Sequence, residues 1–150
     1  MRLSRYAVIF AVVAGSTLGA GSILAADGVI AKRQADMKAM GKEMGGIKDT
    51  LAAKGDLAKV QAHAETIRKI MADVPALFPA GSDTGPTDAL PAIWTDQAGF
   101  DTAAKRADGL ADALATAAGT GETAAATAAF AALGKNGCGG CHQTYRKPQG

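Results

Sequence analysis

Two thiols and an imidazole stand together near the C-terminus, in NGCGGCHQTYRK at 136–147. Cys138 and Cys141 are the only cysteines of the chain, and His142 is one of two histidines. Four chemistries use such residues. Two cysteines in an exported protein default to a disulfide. A redox-active Cys-x-x-Cys is the second reading, but that motif opens a helix in a strand-containing fold. Here it comes late in a chain with helical patterning and no strands to build that fold. Zinc is the third. It needs a fourth ligand, and neighbours such as Cys141 and His142 cannot easily reach one ion together. The other histidine, His63, lies mid-helix. The fourth is covalent haem, for which Cys-x-x-Cys-His is the attachment signature.

In the haem reading each thiol adds across a vinyl group, and the histidine that follows supplies the proximal imidazole. On a helix, 138 and 141 share a face and 142 lies one turn beyond 138. An exported, all-helical chain favours this reading over the other three. Gly139 and Gly140 then put no bulk beside the macrocycle. Each weakens the helix by about 1 kcal/mol relative to Ala, which covalent attachment can offset.

The elements that must position this cluster follow from the rest of the chain. Residues 1–26 carry Arg2 and Arg5, an apolar run from Tyr6 to Val13 and a small-residue stretch ending ILAAD. This reads as a signal peptide cut after Ala25 or Ala26. Gly15, Ser16, Gly19, Gly21 and Ser22 oppose an uncleaved spanning helix. Cleavage leaves residues 27–150 as one domain without a membrane anchor. Removing two of the 16 Lys and Arg leaves 14 against 14 Asp and Glu. A neutral chain makes no case for nucleic acid or for a polybasic membrane contact.

Hydrophobic residues make up 48% of the chain but aromatics only 5%, and Ala dominates. That mix suits closely packed helices. A first helix over 27–53, capped by Asp27, carries the stripe Ile30, Met37, Met40, Met44, Ile47 and Leu51. Gly55 closes it and Asp56 caps the second, whose stripe is Leu57, Val60, Ala64, Ile67, Met71 and Val74. Pro75 and Pro79 end that helix. A loop follows, with Leu77 and Phe78 expected to dock on the core. The third helix, over 95–118, turns Phe100, Ala103, Ala107, Leu110, Leu114 and Ala117 inward, with Trp94 at its start. After Gly119 the fourth carries Ala126, Phe130, Leu133 and the Cys/His cluster. The fold class is all-α, an antiparallel four-helix bundle.

With the motif at the C-terminal end of such a bundle, the chain resembles class II cytochromes c, the family of cytochrome c′ and its low-spin c-556 relatives. AKRQADM is similar to that family's first-helix segment, LFPAGS to its middle loop and IWTDQAGF to the start of its third helix. The resemblance spans the whole of 27–150. It implies a left-handed four-helix bundle with one haem c at one end, in the bacterial periplasm, as a monomer or homodimer.

Within that family the distal side of the iron decides the function. An apolar residue there leaves a five-coordinate iron that binds nitric oxide or carbon monoxide. A methionine there completes a low-spin, six-coordinate centre. The matching position, four after Arg33, is Met37, with Met40 one turn on as the alternative ligand. Met37 also fits plain packing on a Met-rich stripe.

Arg33 is a charge on the apolar stripe. It either snorkels to solvent or pairs with a haem propionate, as the family match implies. Gln34 and Trp94 either line the haem edge or pack. His63 is expected at the surface, Tyr145 on the core, and Arg146 and Lys147 in a solvated tail or on a propionate. No general acid, base or nucleophile is apparent, so enzyme activity is not expected. The expectation is a periplasmic monohaem cytochrome that carries single electrons between redox partner proteins, with a gas-binding cytochrome c′ as the alternative.

Overall fold

A computed structural model describes residues 20–148, with side chains from Asp27 onward. Most of the leader expected over 1–26 lies outside the described residues. Helix α1 runs Ala20–Ala52, so it passes through Asp27 instead of starting there. An Asp inside a helix costs only a fraction of a kcal/mol, and the Ala and Leu before it are good helix formers.

The end of α1 differs from expectation in detail. Lys54, not Gly55, takes the left-handed conformation, with φ 51°. The Gly55 N–H then reaches back to the Thr50 carbonyl at 2.8 Å, closing the last turn. Asp56 caps α2 (Leu57–Asp73) as expected, its carboxylate accepting from the Ala58 N–H at 2.9 Å. Pro75 turns the chain into a short 3-10 stretch, Val74–Leu77.

Beyond the loop the third helix comes in two pieces. Helix α3 is the single turn Ala92–Thr95, and α4 is Gln97–Gly119. Asp96 separates them at φ −129° and caps α4 by accepting from the Gly99 N–H. The buried row of α4 is Phe100, Ala104, Ala107, Ala111, Leu114, Ala115 and Ala118. The expected Ala103, Leu110 and Ala117 lie beside that row and are only half-buried.

The last helix is continuous but not uniform. Helix α5 (Thr123–Ala132) passes into a π-helical stretch, Leu133–Gly139, and then α6, Gly140–Tyr145. Widened turns of this kind are rare and concentrate at functional sites. Gly137 lets this stretch approach α4. A Cβ there would stand 3.3 Å from the Ala107 Cα and 3.1 Å from Leu133 Cδ1.

Helix α2 packs chiefly on α4, α1 on α2, and α4 on α5 and the π stretch. No strand occurs among the described residues; one isolated bridge ties Ala89 to Arg146. Contact between α1 and the last helix is sparse. The core accordingly divides. One cluster holds Ile47, Val60, Ile67, Leu114 and Leu133; the other holds Val74, Leu77, Phe78, Ile93, Phe100 and Tyr145. Leu77 and Phe78 dock on the core, as expected. Met40 and Met71 touch both clusters.

Candidate functional site

The gap between α1 and the last helix is a cavity of about 780 Å³. That is the size class of sites that enclose a cofactor, roughly 300–1,000 Å³. Cys138, Cys141 and His142 line it from the last helix, and Arg33, Gln34, Met37, Met40 and Met44 from α1. Met71 of α2 lines it too, so every methionine after Met1 faces this space.

The two thiols are free. Burial pushes both cysteines above the ordinary thiol range, and for Cys141 the neighbouring Cys138 adds to the rise. Each is therefore a neutral thiol, not an activated thiolate of the kind a disulfide oxidoreductase uses. Burial, and then the charge of Arg146, lowers the His142 pKa. Its imidazole is neutral and keeps a lone pair for a metal. Among the described residues no group of three or more His, Cys, Asp and Glu is placed to hold a metal ion. His63 faces Glu43 across the α1–α2 contact and packs over Gly46. It is half-buried there and takes no part in the cavity wall.

Arg33 does not snorkel. It is 4% exposed and turned into the loop after α2. Nη2 donates to the Ser82 carbonyl at 2.7 Å and to Thr87 Oγ1 at 2.8 Å. Nη1 donates to Ser82 Oγ at 3.1 Å and reaches the Leu77 carbonyl at 3.4 Å. The guanidinium carbon stands 4.8 Å from the Phe78 ring centre and 5.7 Å from that of Trp94. All four hydrogen-bond acceptors are neutral. Burial lowers the Arg33 pKa, and among the described residues no carboxylate contact opposes it. A cation buried at a cavity wall without a counter-ion favours an anionic group in that cavity.

Gln34 lines the cavity and donates to the Pro86 carbonyl at 2.7 Å. Trp94 packs against the second core cluster. It lies edge-on to Phe78, donates from Nε1 to the Pro79 carbonyl at 3.0 Å, and is not part of the cavity wall. Ser82 and Thr87, which hold Arg33, escape a sequence reading because Ser and Thr are ordinary loop residues. Tyr145 is buried on the core as expected. Its hydroxyl donates to Asp96 Oδ2 at 3.0 Å.

The arrangement suits a flat, largely apolar group with acidic edges. Two thiols can bond to it, a neutral imidazole and thioethers can ligate a metal at its centre, and a buried cation can meet a carboxylate.

Comparison with known proteins agrees. The family model described as cytochrome C′ matches residues 28–146. The cytochrome c-556 of Agrobacterium fabrum is 38% identical over 132 residues, 86% of this chain and 87% of that protein. The cytochrome c′ of Pararhodospirillum photometricum is 40% identical over 82 residues, 54% of this chain. That match spans 65% of the relative's length. The crystal structure of cytochrome c′ from Thermochromatium tepidum superposes with a TM-score of 0.76 at 33% identity, covering 82% of this chain and 97% of that one.

Proposed function

Because this chain belongs to the cytochrome c′ family, we propose that it is a periplasmic electron carrier whose haem iron is held between His142 and Met37. A cytochrome of this family carries one covalently attached haem c, and the residues here fit that group. The cavity is of cofactor size, the thiols and the imidazole line one wall of it, and Arg33 places on the opposite wall a buried positive charge with no counter-ion among the described residues. When bound, the haem supplies a one-electron Fe(III)/Fe(II) couple.

The chain's own residues tune that couple. Cys138 and Cys141 fix the group by thioether bonds. The neutral His142 imidazole donates to the iron, and the Met37 thioether favours Fe(II) and raises the potential. The apolar walls, with Ile67, Val74, Ile93, Phe100 and Leu133, disfavour the extra charge of the ferric state. Arg33 is assigned to a propionate. Export rests on the leader-like residues 1–26.

The observation that carries this reading is that Met37 lines, from α1, the same cavity that Cys138, Cys141 and His142 line from the last helix. The test is an optical spectrum of the purified holoprotein in both oxidation states, with and without carbon monoxide. Low-spin spectra that carbon monoxide leaves unchanged are expected. A high-spin protein that takes up carbon monoxide at once would overturn Met37 ligation and put gas binding first.

A further inference from the structure

The residues that both line the cavity and are exposed define its mouth. They are Gln34, Lys38 and Gly41 on α1, with Asp88 and Arg146 on the loop and the C-terminal segment. Lys147 belongs to the same rim, since its Nζ donates to the carbonyl of Thr87, itself a cavity-lining residue, at 2.8 Å. Three cations therefore gather where one carboxylate does.

This excess is local. Residues 27–150 hold as many acidic as basic side chains, yet no Asp or Glu follows Glu122. Lys135, Arg146 and Lys147 all fall in that stretch without acidic side chains. Two cations elsewhere stand in ion pairs, Lys32 with Asp36, and Arg68 with Asp108 and Asp112. A neutral molecule with one polarised face gains little long-range attraction. It is oriented once a partner comes within a Debye length, about 8 Å at physiological salt and about 30 Å at 0.01 M.

We propose that this basic mouth is the docking surface for an acidic patch on a redox partner protein. The partner's carboxylates would meet Lys38 on one side of the cleft and Arg146 and Lys147 on the other. Its own redox group would then face the edge of the cavity. Such complementarity selects orientation and speeds encounter more than it tightens binding, which suits a carrier that must also leave. The inference rests on the electron-carrier reading.

The test uses small redox reagents of opposite charge with the holoprotein. The ferrous protein is oxidised by hexacyanoferrate(III), an anion, and the ferric protein is reduced by hexaammineruthenium(II), a cation, at ionic strengths from about 0.01 to 0.2 M. The anion is expected to slow by about tenfold over that range and the cation to speed up. Lys38→Glu and Arg146→Glu should together reverse both trends. Lys59→Glu, in the first turn of α2 and away from the cavity wall, should leave them unchanged. Salt-independent rates for both reagents would overturn the proposal. So would a flat salt dependence joined to a shifted midpoint potential in the Lys38 and Arg146 variants, because the cations would then serve the haem's own carboxylates. If neither reagent exchanges electrons with the protein, the carrier reading falls and this proposal with it.

Discussion

Arg33 holds Ser82 twice, Nη2 on its carbonyl at 2.7 Å and Nη1 on its hydroxyl at 3.1 Å. Ser82 is 1% exposed, and its hydroxyl donates in turn to the Pro79 carbonyl at 2.8 Å. Ser82→Ala leaves the guanidinium one acceptor short and the Pro79 carbonyl without that donor. The unfolding free energy should drop by about 1–3 kcal/mol. Arg33→Leu should in addition lower the midpoint potential, because a propionate left without its cation stabilises Fe(III). Denaturant titration and potentiometry check the two effects. A potential unmoved in a folded Arg33→Leu protein would leave Arg33 as a loop clamp alone.

Lys54 occupies the left-handed region at φ 51° at the end of α1. A residue with a Cβ holds that conformation at a cost of roughly 1–2 kcal/mol. Lys54→Gly should therefore raise stability, by about 1 kcal/mol after the larger entropy loss of Gly is subtracted. A shift in the denaturant midpoint at constant slope checks it.

The glycines around the cysteines are not equivalent. A Cβ at Gly137 would press on the Ala107 backbone of α4, whereas one at Gly140 meets nothing within 4 Å. Gly137→Ala should destabilise the protein by about 1 kcal/mol, overpacking outweighing the gain in helix propensity. Gly140→Ala should be neutral or stabilising by up to about 1 kcal/mol. Thermal unfolding of the two variants side by side separates them.

Tyr145 gives the protein an alkaline limit. Burial raises its pKa above the ordinary phenol value, and the hydrogen bond to Asp96 and that residue's charge add to the rise. A phenol whose folded pKa lies above the unfolded value of about 10 contributes stability that is fully present below pH 10. That contribution is lost as pH rises through the folded value. The melting temperature should fall more steeply with pH in this window than that of Tyr145→Phe. Parallel curves for the two proteins would remove Tyr145 as the cause.

The chemistry of the site was readable because Cys138, Cys141 and His142 are contiguous, and because Arg33 is a charge on an apolar stripe. The partners of Arg33 were not, since they lie 49 and 54 residues away in a loop whose Ser and Thr have turn roles to fill. The inward face of α4 differs by one position from the periodicity, at Ala104, Ala111 and Ala118. In an Ala-rich helix small apolar residues occur on every side, so a period of 3.6 has little contrast. The break at Asp96 and the π stretch over Leu133–Gly139 depend on how α4, the loop and the last helix meet. Such tertiary terms override local propensity.

Met37→Leu is the decisive variant for the proposed ligation of the iron by Met37. The swap keeps the hydrophobic volume at a packing cost below about 1.5 kcal/mol and removes the thioether sulfur. The measurement is the ferric and ferrous optical spectrum of both proteins under carbon monoxide. The unmutated protein should be low-spin, with the weak red band of sulfur ligation, and inert to the gas. The Leu variant should turn high-spin, bind carbon monoxide readily and lose potential. Identical high-spin spectra, with equal gas uptake by both proteins, would rule out Met37 ligation and leave Met37 as part of the cavity wall.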